Sequence, residues 1–357
     1  MKKILIEGMS FNLGGMETFI YLLYNALKKD YQIDFLVFDE TIPFQQEFLD
    51  QGCHIYWITP RSKGVRKHEK DLDTLFKKEN YDVFWFNKTT LSSISSLKAA
   101  KKNGVKKVIC HSHQSKNMGS AFTAVMHNLN RCIIGKYVDY KVACSQVAAD
   151  YFYGKNAKDV ILLQNAVDVT KYEPNDVVRK EMRKKLGVEG KLVLGNVARF
   201  SPEKNHKYLV DVLEALSKTI DVHLILCGTG ELMDQTKQLV NDKNLSSHVS
   251  FLGMRNDIPE ILQALDVFVM PSLFEGLPFT LVEAQAAGVP CVVSSNISME
   301  SKLTDIVDFV DLDSNVNDWK DAILKFTDYT KVSKRNQLEE KGFTVEAFEK
   351  KVREMIG

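Results

Sequence analysis

The chain has 357 residues, 45% of them hydrophobic, with 47 Lys and Arg against 46 Asp and Glu, so its net charge is +1. That length and apolar content suit two α/β domains, each large enough for its own core. The balanced charge supplies no overall field for nucleic acid, although residues 1–167 carry a net +7 and residues 168–357 a net −6.

Met1–Glu7 leads directly into a strand, and no hydrophobic run approaches the ~20 residues needed to span a bilayer. The expectation is a cytoplasmic chain with at most peripheral membrane contact. The first half alternates apolar runs at 4–7, 33–38, 54–58, 83–86, 108–110, 140–144 and 160–163 with helical segments near 16–29, 43–51, 68–79, 91–103, 120–136 and 146–153. This β-α alternation predicts a mostly parallel, doubly wound sheet. The loop Gly8–Glu17 joins the first strand to the first helix, and the pair Gly14-Gly15 lets a ligand approach the backbone and the helix N-terminus. It fits neither G-x-G-x-x-G nor a P-loop.

Two basic clusters follow, Arg61 to Lys70 and Lys98 to Lys107, either of which can attract an anionic membrane surface. Cys110-His111-Ser112-His113 ends a strand; without a third ligand it makes a poor metal site, and His113 is the better-placed group for a substrate hydroxyl. Asp71-Leu-Asp73 and Asp311-Leu-Asp313 lie away from the other motifs and read as incidental. The six cysteines lack CxxC spacing and read as reduced thiols. A polar stretch from Asp168 to Glu189 breaks the alternation, which places a linker near 165–175.

Alternation restarts with strands at 191–198, 222–227, 248–252, 266–270, 290–294 and 307–311 and helices at 204–218, 230–242, 257–264, 279–287, 316–327 and 344–355. The expected domains are 1–167 and 168–343, with the final helix, 344–357, completing the first. The fold class is therefore α/β, two Rossmann-like domains with a ligand cleft between them. After the first strand of the second domain, Arg199 and Lys204 place two cations near a helix start, enough to neutralise a diphosphate without metal; Pro202 fixes the turn and Ser201 can cap it. Gly228-Thr-Gly230 joins strand to helix and permits approach of a nucleotide, as does the backbone at Gly253. Finally, Pro271–Glu283 reads PSLFEGLPFTLVE, with Glu275 on a strand-to-helix loop and Glu283 just inside the helix. Such loops are where open α/β sheets bind ligands. Two acids there can accept hydroxyls of ribose and hexose, with backbone N–H groups near Leu277 holding the diphosphate between them.

Together these residues resemble glycosyltransferase family 4, the retaining nucleotide-sugar transferases of the GT-B fold, and within it the bacterial exopolysaccharide and capsule transferases. The resemblance rests on the E-x7-E element within MPSLFEGLPFTLVEAQAAGVP, on VARFSPEKN, the GGME turn, the ICHSH strand end and the QNAVD hinge. It implies a hexosyltransferase acting on a nucleotide sugar, a UDP-sugar by this likeness, with a saccharide or lipid-linked saccharide acceptor and neither cofactor nor metal. It further implies that Glu283 holds ribose, Glu275 the donor sugar, Arg199 and Lys204 the diphosphate, Leu277 backbone assisting, and His113 the hexose near its reacting carbon. Gly14 and Gly15 would admit phosphate or acceptor. The chain departs from the family pattern with Phe84-Trp-Phe-Asn87 where H-x-H is usual, and with Asn165-Ala166 where Asn-Gly is usual. The competing readings are a UDP-sugar 2-epimerase and a non-catalytic nucleotide-sugar-binding scaffold.

Overall fold

The computed structural model describes every residue except 115–118, 165 and 276. Asn165 of the hinge and residue 276 of the glutamate loop therefore lie outside the described residues. The chain divides into two compact units, Met1–Ala166 with Val345–Gly357, and Val167–Thr344.

The first unit is built on a seven-stranded sheet, β1 (Lys2–Glu7), β2 (Tyr31–Val37), β3 (Ile55–Trp57), β4 (Val83–Lys88), β5 (Lys107–Ser112), β6 (Tyr140–Ala143) and β7 (Val160–Leu162), in the order β3-β2-β1-β4-β5-β6-β7. All its neighbours pair in parallel. Alternate side chains feed two cores: Ile4, Ile6 and Trp85 join Phe19 and Leu23, while Leu5, Phe84 and Phe86 join Leu72 and Phe76. Burial of both faces explains why these strands read as unbroken apolar runs. The terminal helix Val345–Ile356 adds Phe348, Val352 and Met355 to the first of these cores, and Arg353 reaches Asp30 and the carbonyl of Ala26.

The second unit carries β8 (Leu192–Val197), β9 (Val222–Cys227), β10 (Val249–Gly253), β11 (Val267–Met270), β12 (Cys291–Ser294) and β13 (Val307–Val310), parallel in the order β10-β9-β8-β11-β12-β13. Each sheet has one place where strand order reverses, between β1 and β4 and between β8 and β11. In open α/β sheets the crevice beyond the carboxyl ends of strands at such a point is the ligand site.

The stretch Asp168–Glu189 is structured, contrary to its reading as an interruption. It forms the short helix Val169–Tyr172 and the helix Asp176–Leu186. The Asn175 side chain caps the second helix by accepting from Val177 and Val178 N–H, and Gly187, in the left-handed region at φ 66°, closes it. What holds this highly charged helix is ionic. Arg179 and Arg183 both pair with Asp266, which also accepts from the Val193 backbone at 2.7 Å. Another helix absent from the sequence reading spans Arg335–Glu340.

Candidate active site

At the β8/β11 reversal, two strand-to-helix loops are stitched together. Leu273 N–H donates to the Glu203 carbonyl at 2.8 Å, and Asn205 Nδ2 donates to the Pro271 carbonyl at 3.1 Å. Inside the sheet, Asn196 Nδ2 donates to the Val269 carbonyl at 2.7 Å, tying β8 to β11 below the loops. These bonds bring Lys204 and Glu275, 71 residues apart, into a direct ion pair between Nζ and Oε1. Both side chains are mostly shielded from solvent, which makes their electrostatics stronger than those of a surface pair. Lys204 closes the 3-10 turn Pro202–Lys204, and Asn205, in the left-handed region at φ 54°, starts the helix His206–Ser217. Ser201 does not cap that turn; its hydroxyl donates instead to the Glu203 carboxylate.

Arg199 projects from the same loop. Its side chain is 67% exposed and meets Glu231 at 3.6 Å, a surface contact of the kind worth roughly 0–1 kcal/mol. The guanidinium is thus held weakly enough to turn to an anion.

Glu283 lies in the helix Phe279–Ala286 and is directed by an unexpected partner. Tyr172 Oη donates to its Oε1 at 2.6 Å. Burial pushes the Glu283 carboxyl up to about 7, and the Tyr172 hydrogen bond opposes that rise only in part. Burial together with the neighbouring Glu283 charge raises the Tyr172 phenol well above its ordinary range, so it stays a donor. Pro278 occupies the N-cap of the Glu283 helix and supplies no side-chain cap, which leaves the N–H groups after Leu277 suited to an anion.

The glycines in the second unit divide by cause. At Gly228, φ 129°, a Cβ would fall 2.0 Å from the Ala198 carbonyl, and at Gly230, φ 157°, 2.4 Å from that of Phe200. The close packing of the chain on itself, rather than approach of a nucleotide, accounts for Gly228. Gly253 has φ 65° with open space around a Cβ, and its carbonyl accepts from Gly228 N–H at 2.8 Å.

In the first unit, His113 follows β5 beside the β1/β4 reversal. Its Nε2 lies 2.9 Å from Asn87 Oδ1, while Asn87 Nδ2 donates to the Glu7 carbonyl at 2.9 Å. Because the amide nitrogen is committed to Glu7, its oxygen must accept, so the network assigns the proton to His113 Nε2 and leaves Nδ1 as an acceptor. Burial lowers the His113 imidazole to about 3, so the ring is neutral at ordinary pH. His111 lies beside it with the rings tilted at 40° and their centroids 4.1 Å apart, and is itself fully buried. Its burial, with the adjacent His113, holds it far below the ordinary histidine value.

Nearby, Glu7 and Lys88 pair at 2.8 Å on the wall of a cavity of about 250 Å³ also lined by Phe38, Arg61 and His68. Glu7 is 1% exposed and its Oε2 has no partner among the described residues. A Cβ on Gly15 would meet nothing, and one on Gly14 only the Glu17 carboxylate at 3.1 Å. Neither glycine is demanded by the packing of the chain itself. The Asp71 and Asp73 carboxylates are spent on structure: Asp71 accepts from the Thr59 hydroxyl, and Asp73 pairs with Lys77 and Lys102.

EpsF of Bacillus subtilis, named as a glycosyltransferase, is 30% identical over 83% of this chain and 80% of its own. The chain belongs to the group 1 glycosyltransferases. The family pattern, described as Glycosyl transferases group 1, matches residues 178–345, which fall almost wholly in the second unit and include Arg199, Lys204, Glu275 and Glu283. An Escherichia coli galactosyltransferase, described as UDP-Gal:alpha-D-GlcNAc-diphosphoundecaprenol alpha-1,3-galactosyltransferase, is 28% identical over 79% of this chain and 77% of its own. Among solved structures, Anabaena HepE in complex with UDP superposes with a TM-score of 0.81 at 20% identity over 99% of each chain. The fold of this glycosyltransferase is therefore GT-B, two Rossmann-like units.

Two residues of the candidate site were not singled out by the sequence. Asn87 stood only as a departure from H-x-H, yet it sets the His113 tautomer. Tyr172 sits in the polar stretch read as linker; a lone aromatic there was the one signal of a packed position.

Proposed function

We propose that this glycosyltransferase moves a hexose from a UDP-sugar to a saccharide or lipid-linked saccharide with retention at the anomeric carbon, in exopolysaccharide or capsule assembly, as a member of family 4. The observation that carries the reading is the Lys204–Glu275 pair, held at the carboxyl edge of the β8/β11 reversal by stitched loops. The description of the E. coli relative as a UDP-Gal transferase and the UDP in Anabaena HepE support a uridine donor. Glycosyltransferase relatives over most of the chain favour transfer over the epimerase reading.

In this reading the diphosphate takes Lys204, Arg199 and the N–H groups after Leu277, two cations and a helix terminus in place of a metal. Glu283, ionised on binding, accepts from the ribose hydroxyls, and Glu275 from the hexose. His113 Nδ1 accepts a sugar hydroxyl, and the backbone at Gly14, Gly15 and Gly253 admits substrate closely. The acceptor oxygen bonds to the anomeric carbon as the bond from that carbon to the diphosphate breaks. The acceptor's proton passes to the departing phosphate oxygen on the same face, which retains configuration without an enzyme nucleophile. Arg199 and Lys204 stabilise the charge that develops there.

The test is transfer from UDP-galactose and UDP-glucose to a diphosphate-linked GlcNAc acceptor, with and without EDTA, and the product's anomeric configuration read by NMR. An α-linked product formed equally with EDTA is expected. A β-linked product, or sugar epimerised without any acceptor, overturns the reading.

A further inference from the structure

The helix Ala121–Ile133 is packed with its polarity reversed. Its buried residues are His127 and Asn130. The Leu91 N–H donates to His127 Nδ1 at 3.0 Å, and Asn130 Nδ2 donates to the Leu91 carbonyl at 2.7 Å, so one backbone unit is clamped from both sides. With Nδ1 accepting, Nε2 carries the proton and donates to the Tyr151 carbonyl at 3.3 Å, while the ring stacks on Tyr151 at 4.7 Å. These bonds fix the rotation of the helix about its axis.

That rotation turns an apolar stripe outward. Phe122 is 73% exposed, Val125 56% and Leu129 60%, at i, i+3 and i+7 of one helical face, and the exposed Cys132 extends the row. A buried face of polar groups with an outward face of large apolar groups is the reverse of an ordinary surface helix.

The charge along this stretch of the sequence is one-sided. Between Asp82 and Asp139 the sequence contains no Asp or Glu and nine Lys or Arg. Several cations of the 98–107 cluster are already neutralised, Lys101 by Asp139 at 2.6 Å, Lys102 by Asp73 at 3.0 Å and Lys106 by Asp82 at 2.8 Å. Arg131 stands in the last turn of the reversed helix and exposed Lys136 in the 3-10 turn Ile134–Lys136 that follows it. The 98–107 cluster singled out from sequence is thus less suited to a membrane than this helix.

We propose that the helix Ala121–Ile133 is a membrane-contacting element. It lies in the plane of an anionic bilayer, with Phe122, Val125 and Leu129 entering the headgroup boundary and Arg131 and Lys136 meeting lipid phosphates. Apolar area plus cations near an anionic surface is the combination that binds such helices. A second copy of the chain fits the stripe less well, because Arg131 and Lys136 would face their own like charges. The surface stands independently of the transferase reading, to which it adds only that a lipid-linked acceptor would be met at the bilayer.

The test is flotation of the full chain with vesicles of phosphatidylglycerol and phosphatidylethanolamine, against pure phosphatidylcholine, at low and high salt. Binding to the anionic vesicles is expected, weakened by salt. The double variant Phe122→Ser, Leu129→Ser should bind at least about a hundredfold more weakly, since it removes two large apolar side chains. Arg131→Glu with Lys136→Glu should abolish the preference for anionic lipid. Both variants should keep the parent melting temperature, because the altered side chains point outward. A wild-type protein that stays with neither vesicle, or a double serine variant that floats as well as wild type, overturns the proposal. So does sedimentation showing a dimer that the serine substitutions dissolve. Transfer to a water-soluble acceptor is read in parallel, so that loss of membrane binding and failure of the transferase reading are told apart.

Discussion

The two strand-order reversals use the same scaffold for different physical tasks. At β8/β11 the candidate groups are charges carried on loops beyond the strand ends: Lys204 and Glu275 answer each other, and Arg199 meets Glu231 in a long surface contact. At β1/β4 they are rooted in the strands, with Asn87 in β4 bonded to both Glu7 and His113 and the imidazole kept neutral. Of the loop-borne charges, Arg199 can turn to an incoming diphosphate at modest cost, while Lys204 does so by giving up its shielded pair with Glu275. Groups fixed by strand hydrogen bonds hold their direction, which suits the orientation of an uncharged hydroxyl. The contrast teaches that binding of charge and placement of a neutral group need not share one kind of support.

The largest effect should come from the charged edge. Arg199→Ala and Lys204→Ala should each lower kcat by about 10²–10³, the magnitude of losing one preorganised charge-stabilising contact, measured in a transfer assay under donor saturation. Near-normal kcat in both would break the contrast at its stronger end.

Glu283 should reveal itself through pH. Its carboxyl sits at about 7 in the folded chain, so donor affinity should fall as pH drops below 7 and the carboxylate takes up a proton. Glu283→Gln should weaken donor binding by roughly 10–100-fold, as expected for loss of charged hydrogen bonds, and should remove that pH dependence in a titration. Stability runs the other way. Because the folded value is raised above the unfolded one, the stabilisation from protonated Glu283 is fully present below about 4.5 and is lost as pH rises through about 7. Glu283→Gln should therefore raise the melting temperature at pH 8 and leave it little changed at pH 4, and a variant less stable at pH 8 would contradict the assignment.

The strand-rooted end should respond in stability as well as in rate. Asn87→Ala strips partners from the Glu7 carbonyl and from His113 Nε2, at a cost of about 1–3 kcal/mol, seen as a lower denaturation midpoint together with slower transfer. His113→Ala should slow transfer with a smaller loss of stability. Since the imidazole is neutral down to about 3, the pH profile between 5 and 9 should keep its shape.

Much of this was legible in the chain. Strands such as Val222–Cys227 and Cys291–Ser294 are buried on both faces, so unbroken apolar runs mark them directly. The loops bearing Arg199, Lys204, Glu275 and Glu283 follow from turn residues between those runs. What could not be read was pairing over distance. Lys204 meets Glu275 only because β11 lies beside β8 in the sheet, a fact of strand order that local spacing does not carry. The helix Asp176–Leu186 escaped because its apolar row, Val178, Met182 and Leu186, is narrow and is flanked by two inward arginines bound to Asp266. Tyr172 escaped with it.

The smallest effects separate glycines held by packing from those left to a ligand. Gly15→Ala should change stability by no more than about 0.5 kcal/mol, because nothing surrounds the added carbon. Gly228→Ala should be clearly destabilising, because its Cβ would strike the Ala198 carbonyl. Equal melting temperatures for the two variants would erase that distinction.

The central claim is that the β8/β11 edge holds an activated sugar through its diphosphate. Calorimetric titration of UDP-galactose and UDP-glucose into wild type and Lys204→Ala, each with EDTA present, tests it most directly. The account predicts that at least one donor binds wild type and that the variant binds it at least about tenfold more weakly. Equal affinity in the two proteins, or no binding of either sugar nucleotide to wild type, would contradict it.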